Sequence, residues 1–126
     1  MLGITKKIIQ KLVQFKVTRS IPGRMRLKSK APESIYKEVE PYDEYLKDSI
    51  LLLDGIEEIE INYKIGTALI QYDIEKTYEA KILKWINKII EIALKNQEEI
   101  VEYWDRDIEY LEKLLEQQLR EEIEKL

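Results

Sequence analysis

The side chains that most catalysis and soft-metal binding use are missing from this chain, which has no cysteine and no histidine in 126 residues. Thiolate nucleophiles, imidazole bases, disulfides and the nitrogen and sulfur ligands preferred by zinc and copper are excluded together. What remains for chemistry is charge, and it is unevenly spread. Residues 1–30 carry nine bases (Lys6, Lys7, Lys11, Lys16, Arg19, Arg24, Arg26, Lys28 and Lys30) and no acid. The remainder holds 21 − 9 = 12 bases against all 25 acids. A chain so polarised attracts an anionic surface at one end, pairs with its own acidic end, or makes head-to-tail contacts with a copy of itself. At the acidic end Glu98, Glu99, Glu102, Asp105, Asp107, Glu109, Glu112 and Glu116 offer oxygen ligands for iron or calcium if helices pair, although such a run more often solvates a helix. An enzyme would have to work with carboxylates or an Arg phosphate cradle, of which the Pro22-Gly23-Arg24 turn is a faint echo. The expectation is a non-enzymatic protein with no catalytic residue, no resident metal and no cofactor.

The elements that position these charges follow from periodicity. In residues 1–14, Ile8, Ile9, Leu12 and Val13 recur at helical spacing with Lys7 and Lys11 largely on the other side, predicting a short basic amphipathic helix suited to a membrane surface or a partner. Residues 15–30 alternate instead. Met25 and Leu27 oppose Arg24, Arg26 and Lys28 in a strand after Pro22-Gly23, while Phe15 and Val17 lie in a hairpin partner or a mere lead-in. Ala31-Pro32-Glu33-Ser34 suits a helix start, but Pro41 should break the helix, leaving its firm part from about Pro41 to Leu53, with Asp54-Gly55 as the stop. Residues 56–63 and 67–72 alternate around Gly66 and predict two antiparallel strands. From Glu75 the pattern turns helical, with Ile82, Trp85, Ile86, Ile89, Ile90, Ala93 and Leu94 forming a broad stripe able to cover a sheet.

The stripe continues. Trp104, Ile108, Leu111, Leu115 and Leu119 recur at three- and four-residue steps and resemble a helix-pair or coiled-coil seam, an association helix. An unbroken helix of about 50 residues would reach roughly 75 Å, beyond any small domain. It must therefore kink and return near Asn96-Gln97 or Asp105, or pack on another subunit.

Two stretches carry a resemblance: Ser20-Ile21-Pro22-Gly23-Arg24-Met25-Arg26-Leu27, and the run from Leu53-Asp54-Gly55 through Ile65-Gly66-Thr67 to Tyr72-Asp73. Together they look like the heavy-metal-associated domain superfamily, and more closely its cysteine-free branch, over roughly residues 15–95. The resemblance implies an α+β fold, a ferredoxin-like β-α-β-β-α core that here lacks the last strand, flanked by a short N-terminal helix (1–14) and a long acidic helical extension (97–126), with the domain itself at 15–96. Without the last strand, the strand after Pro22-Gly23 is left as an edge, which residues 15–20 cover more readily than a partner strand does. The resemblance also implies a setting near metal-transporting P-type ATPases or bacterial iron-storage systems. It does not imply metal transfer, because relatives that pass copper or zinc use a Cys-x-x-Cys loop where this chain has Ser20 to Arg24.

The resulting expectation is an accessory or adaptor protein of metal homeostasis. Arg19, Pro22, Gly23, Arg24, Arg26 and Lys28 would bind a protein partner, either a metal-transporting ATPase or a second copy, and the C-terminal helix would drive homo-oligomer formation. A membrane-surface or assembly protein using Ile8, Ile9, Leu12, Val13, Lys7 and Lys11 is the alternative, and an oxygen-ligand metal binder a second. Nucleic acid is disfavoured, since the middle strands place Arg, Glu and Gln where an RNA-binding sheet needs stacking aromatics. No apolar run approaches a membrane span and the first residues lack a signal peptide's pattern, so the cytoplasm, with contact at the membrane periphery, is the expected location.

Overall fold

A computed structural model describes residues 15–126 of the chain. The helix expected at residues 1–14, with Lys7, Ile8, Ile9, Lys11, Leu12 and Val13, lies outside the described residues.

Alternating apolar and charged side chains make the first half a sheet. Strands β1 (Phe15–Ile21), β2 (Arg24–Ser29), β3 (Ile56–Asn62) and β4 (Thr67–Tyr72) form one antiparallel sheet in the order β1-β2-β4-β3. Residues 15–21 are thus a full hairpin partner, occupying the edge that a missing last strand would leave open. Met25 and Leu27 of β2, Ile56 and Ile59 of β3, and Ile70 and Tyr72 of β4 all turn to one side and are buried there. The β3–β4 hairpin closes through the Asn62 side chain, whose Oδ1 accepts from Lys64 and Ile65 amides, and through Gly66 at φ +69°. A Cβ on Gly66 would lie 2.1 Å from the Tyr36 ring, so this turn requires glycine for space as well as for its dihedral.

Helices cover the apolar side. Between β2 and β3 the chain runs through α1 (Glu33–Val39), a 3-10 turn at Glu40–Tyr42, and α2 (Asp43–Leu51). Pro41 sits in that turn, where its missing amide costs least, so it restarts the helix as expected. The next helix, α3 (Glu79–Lys95), begins later than its periodicity suggested. Asp73 is the reason: its side chain accepts from the Glu75 amide and its carbonyl from Lys76 and Thr77, a local turn that competes with helix. Trp85 anchors α3 to α2. It is wholly buried, and its indole N–H donates to the carbonyls of Ser49 (3.1 Å) and Ile50 (3.3 Å), giving partners to the C-terminal end of α2.

The apparent long helix is three. After α3 come α4 (Gln97–Tyr103) and α5 (Ile108–Ile123), with breaks at both places where the sequence allowed one. Asn96 ends α3 by donating back to the Ile92 carbonyl (2.8 Å), and Asp107 caps α5 by accepting from the Tyr110 amide (3.1 Å). Asn96 and Gln118 then exchange amide hydrogen bonds of 2.7 and 3.1 Å across the two helices. Lys88 and Lys95 of α3 share one surface with Glu122 and Gln118 of α5, so α5 returns antiparallel to α3. The seam read as an association helix is largely used inside the chain: Leu111 is 0% and Leu119 6% exposed, and Leu115 packs against the same core. Trp104 stands edge-on to Tyr42 (centroids 4.3 Å) and Tyr45 (5.0 Å), an aromatic cluster that sequence spacing did not reveal. Of the five seam residues, Ile108 alone is neither in the core nor in that cluster.

Two expectations follow. Leu111→Ala should destabilise the chain by about 2–5 kcal/mol in urea unfolding, against less than about 0.5 kcal/mol for the exposed Val101→Ala, because α5 is part of the fold. The phenols of Tyr45 and Tyr63 are pushed well above the ordinary phenol value of 10.0, first by burial and then by hydrogen bonds to Glu112 and Asp43 respectively. A raised folded pKa contributes stability in full below the unfolded value and loses it as pH rises toward the folded one. Stability should therefore fall above pH 10, and a spectrophotometric phenolate titration should show a late-ionising group of tyrosines that moves earlier in Asp43→Asn.

Candidate functional site

Charge collects on the face of the sheet that no helix covers among the described residues, and the strand period puts it there. On β2, inward Met25 and Leu27 force Arg24, Arg26 and Lys28 outward. The β2–β4 and β3–β4 registers then align three rows across the sheet: Arg24, Gln71 and Glu58; Arg26, Leu69 and Glu60; Lys28, Thr67 and Asn62.

Strand β1 completes the basic half through a bulge. Phe15 and Val17 face the core, so strict alternation would drive Arg19 into it as well. The register slips between Val17, opposite Leu27, and Arg19, opposite Arg26, leaving Thr18 as the extra residue. The slip reverses the parity of everything after it. Arg19 now lies outside beside Arg26, and Ser20, opposite Met25, reaches the helix side and donates to the Glu79 carboxylate (2.5 Å). Ile21 falls opposite Arg24 and is 50% exposed. A second slip, between Ile56 and Glu58, does the same on the opposite edge strand and adds Glu57 to the acids there.

The Pro22-Gly23 turn fixes where this patch ends. Gly23 has φ +80° with proline before it, the arrangement of a type II turn, and its carbonyl accepts from the Tyr72 amide at 2.9 Å. A side chain at Gly23 would press to 3.0 Å from the Tyr72 carbonyl oxygen. The turn is therefore tied to the end of β4, which holds Arg24 in a defined place.

Two guanidinium groups opposite one another on neighbouring strands repel, and no acid among the described residues pairs with either. Among the described residues, the ion pairs are made by other side chains and none by Lys16, Arg19, Arg24 or Arg26. Lys28, expected with them, is engaged at the end of the sheet, where its ammonium donates to the Ile65 carbonyl and lies 5.8 Å from the centre of the Tyr36 ring. The working patch is thus Arg19, Arg24 and Arg26, with Lys16 and the exposed apolar Ile21 added. Leu69 and Gln71 separate it from Glu58 and Glu60. Sequence reading missed Lys16 and Ile21, and its one available signal was Arg19 itself, a cation at a position that alternation assigns to the core.

Comparison with known families matches residues 5–126 to heavy metal associated domain 2. The chain belongs to that family. The match runs through α4 and α5, further than residues 15–95, where the resemblance was carried. Comparisons with curated proteins and with solved structures yield no match.

For a heavy-metal-associated domain the question of a metal is immediate, and the donors here do not fit one. The turn at residues 20–24 offers a hydroxyl, backbone and a cation, and the Arg19, Arg24 and Arg26 guanidiniums around it oppose a metal's charge. The acids of residues 98–116 are not brought together either: among the described residues no three Asp or Glu side chains lie close enough to hold a metal ion. Among the same residues no helix is long and apolar enough to cross a membrane.

Since Arg26 is repelled across the strand by Arg19, Arg26→Thr should leave the fold intact and raise stability by about 0.2–1 kcal/mol at low ionic strength. The gain should shrink in high salt, where the repulsion is already screened, and thermal unfolding at two salt concentrations checks it.

Proposed function

We propose that this heavy-metal-associated domain is a non-enzymatic accessory or adaptor protein of metal homeostasis, acting by protein–protein association through the open sheet face rather than by passing metal between thiols. The observation that carries the reading is the uncompensated Arg19–Arg26 pair, with Arg24 beside it, on a face that no helix covers among the described residues. A protein that keeps adjacent cations unpaired on a rigid sheet is arranged for a partner that supplies the carboxylates. Leu69 and Ile21 give that contact an apolar component, and the tied Pro22-Gly23 turn gives it shape.

The partner is an acidic protein surface, either on a metal-transporting ATPase or on a second copy of this chain. The second is favoured by the sheet's own layout. Its basic half lies on β1 and β2 and its acidic half, Glu57, Glu58 and Glu60, on β3, so two faces apposed about a two-fold axis place each basic half over the other's acidic half. Self-association is thereby a property of the sheet rather than of α5.

Light scattering coupled to gel filtration on the full chain, and its binding to the soluble portions of a metal-transporting ATPase, test this. Arg24→Glu/Arg26→Glu should weaken the association by roughly tenfold or more and remove most of its salt dependence. Association that is indifferent both to the charge reversal and to salt would sink the reading.

A further inference from the structure

On the helical side, away from the charged face, α2, α3, α4 and α5 enclose with the sheet an open groove of about 580 Å³. Its lining is largely apolar: Phe15, Leu46, Ile90, Ala93, Trp104 and Leu115 are among the residues that form it. Among the described residues the charged side chains in the lining are all acids, Glu44, Asp48, Glu112 and Glu116. Two of these acids already have local partners, Glu112 accepting from the Tyr45 hydroxyl and Glu116 paired with Arg120 at 2.9 Å, whereas no ion pair engages Glu44 or Asp48 among the described residues.

We propose that the occupant of this groove is the chain's own segment of residues 1–14, its Ile8, Ile9, Leu12 and Val13 laid on the apolar lining and its lysines set against the acids. Three observations converge on it. The first is connectivity. Phe15, which follows the segment directly, is itself a lining residue, so the chain leaves β1 at the groove's edge. Fourteen residues in helical form span about 21 Å, enough to cross a small domain.

The second is charge. The segment holds Lys6, Lys7 and Lys11 and no acid, the complement of a groove to which the described residues contribute only negative charges. The third is chemistry. An apolar stripe of four aliphatic residues and an apolar groove each need a covering surface, and covalent attachment gives this pair an effective concentration that a separate partner would have to exceed. The same stripe cannot lie on a bilayer while it lies in the groove, so membrane contact by residues 1–14 requires their withdrawal.

The natural absence of cysteine makes the test direct in the full chain. Leu12→Cys is combined in turn with Ala93→Cys and with Leu115→Cys, and each variant is treated with a short thiol–thiol cross-linker. The expected result is an intrachain link in most molecules for at least one groove pair. The control pair with Gln71→Cys, on the open sheet face, should remain unlinked. Links that form between chains would assign the groove to a second copy, and equal linking in the control would show an undocked segment; both overturn the proposal. Native-state hydrogen exchange on the unmodified chain avoids any damage the substitutions cause. Amides of residues 8–13 should be protected roughly a hundredfold or more over free-peptide rates. Exchange at free-peptide rates, or protection that arises only on adding phosphatidylserine vesicles, overturns it, the latter giving the stripe to a membrane.

Discussion

One strand carries two incompatible demands and meets both through its period of two. On β2 the inward residues Met25 and Leu27 are essentially inaccessible and form the floor of the core, and the residues between them, Arg24 and Arg26, are thereby held on the opposite face. Burial of the apolar set and display of the basic set are one event, because any one-residue slip would exchange them. β2 is an inner strand, paired on both sides, so that slip would break two ladders. The rest of the molecule is arranged around keeping it in register.

The edge strands show how. β1 and β3 each contain one register slip, at Thr18 and at Glu57, and each slip lets polar residues that strict alternation would bury stay outside. Bulges on both edges also spoil the regular row of unpaired backbone groups that would otherwise recruit further strands. Association by sheet extension is thus discouraged, while association by the open face is not. The distinction separates a defined complex from open-ended aggregation, and it is built from two extra residues.

Much of this was open to sequence reading. The strand, helix, hairpin and helix order, the restart at Pro41 and the outward Arg24 and Arg26 all rest on local periodicity and on proline and glycine chemistry, which a sequence displays directly. What was hidden depends on contacts between distant residues. The bulge at Thr18 is decided by pairing with β2, and the late start of α3 by the Asp73 turn, whose own amide is held by the Gly55 carbonyl at 2.7 Å. The use of Leu111 and Leu119 was ambiguous in principle, since an apolar stripe records that something covers a helix and not what does. The Asn96–Gln118 amide pair, separated by 22 positions, settles that question in space and leaves no pattern in the sequence. Equally invisible was the diversion of Lys28 from the charged face to the Ile65 carbonyl.

The absence of thiols and imidazoles then takes on a positive sense. Here the turn before β2 is occupied by proline and glycine and ringed by guanidiniums. A cationic rim disfavours a metal ion by simple repulsion and favours a carboxylate by the same term with its sign reversed. Placing Arg19 against Arg26 costs some sheet stability, which the buried apolar side of β2 and the Trp85 anchor offset. Such a cost is characteristic of residues held for an encounter rather than for the fold. The sign of the charge displayed on this scaffold is therefore decided by which residue types stand at one turn and on one face of one strand.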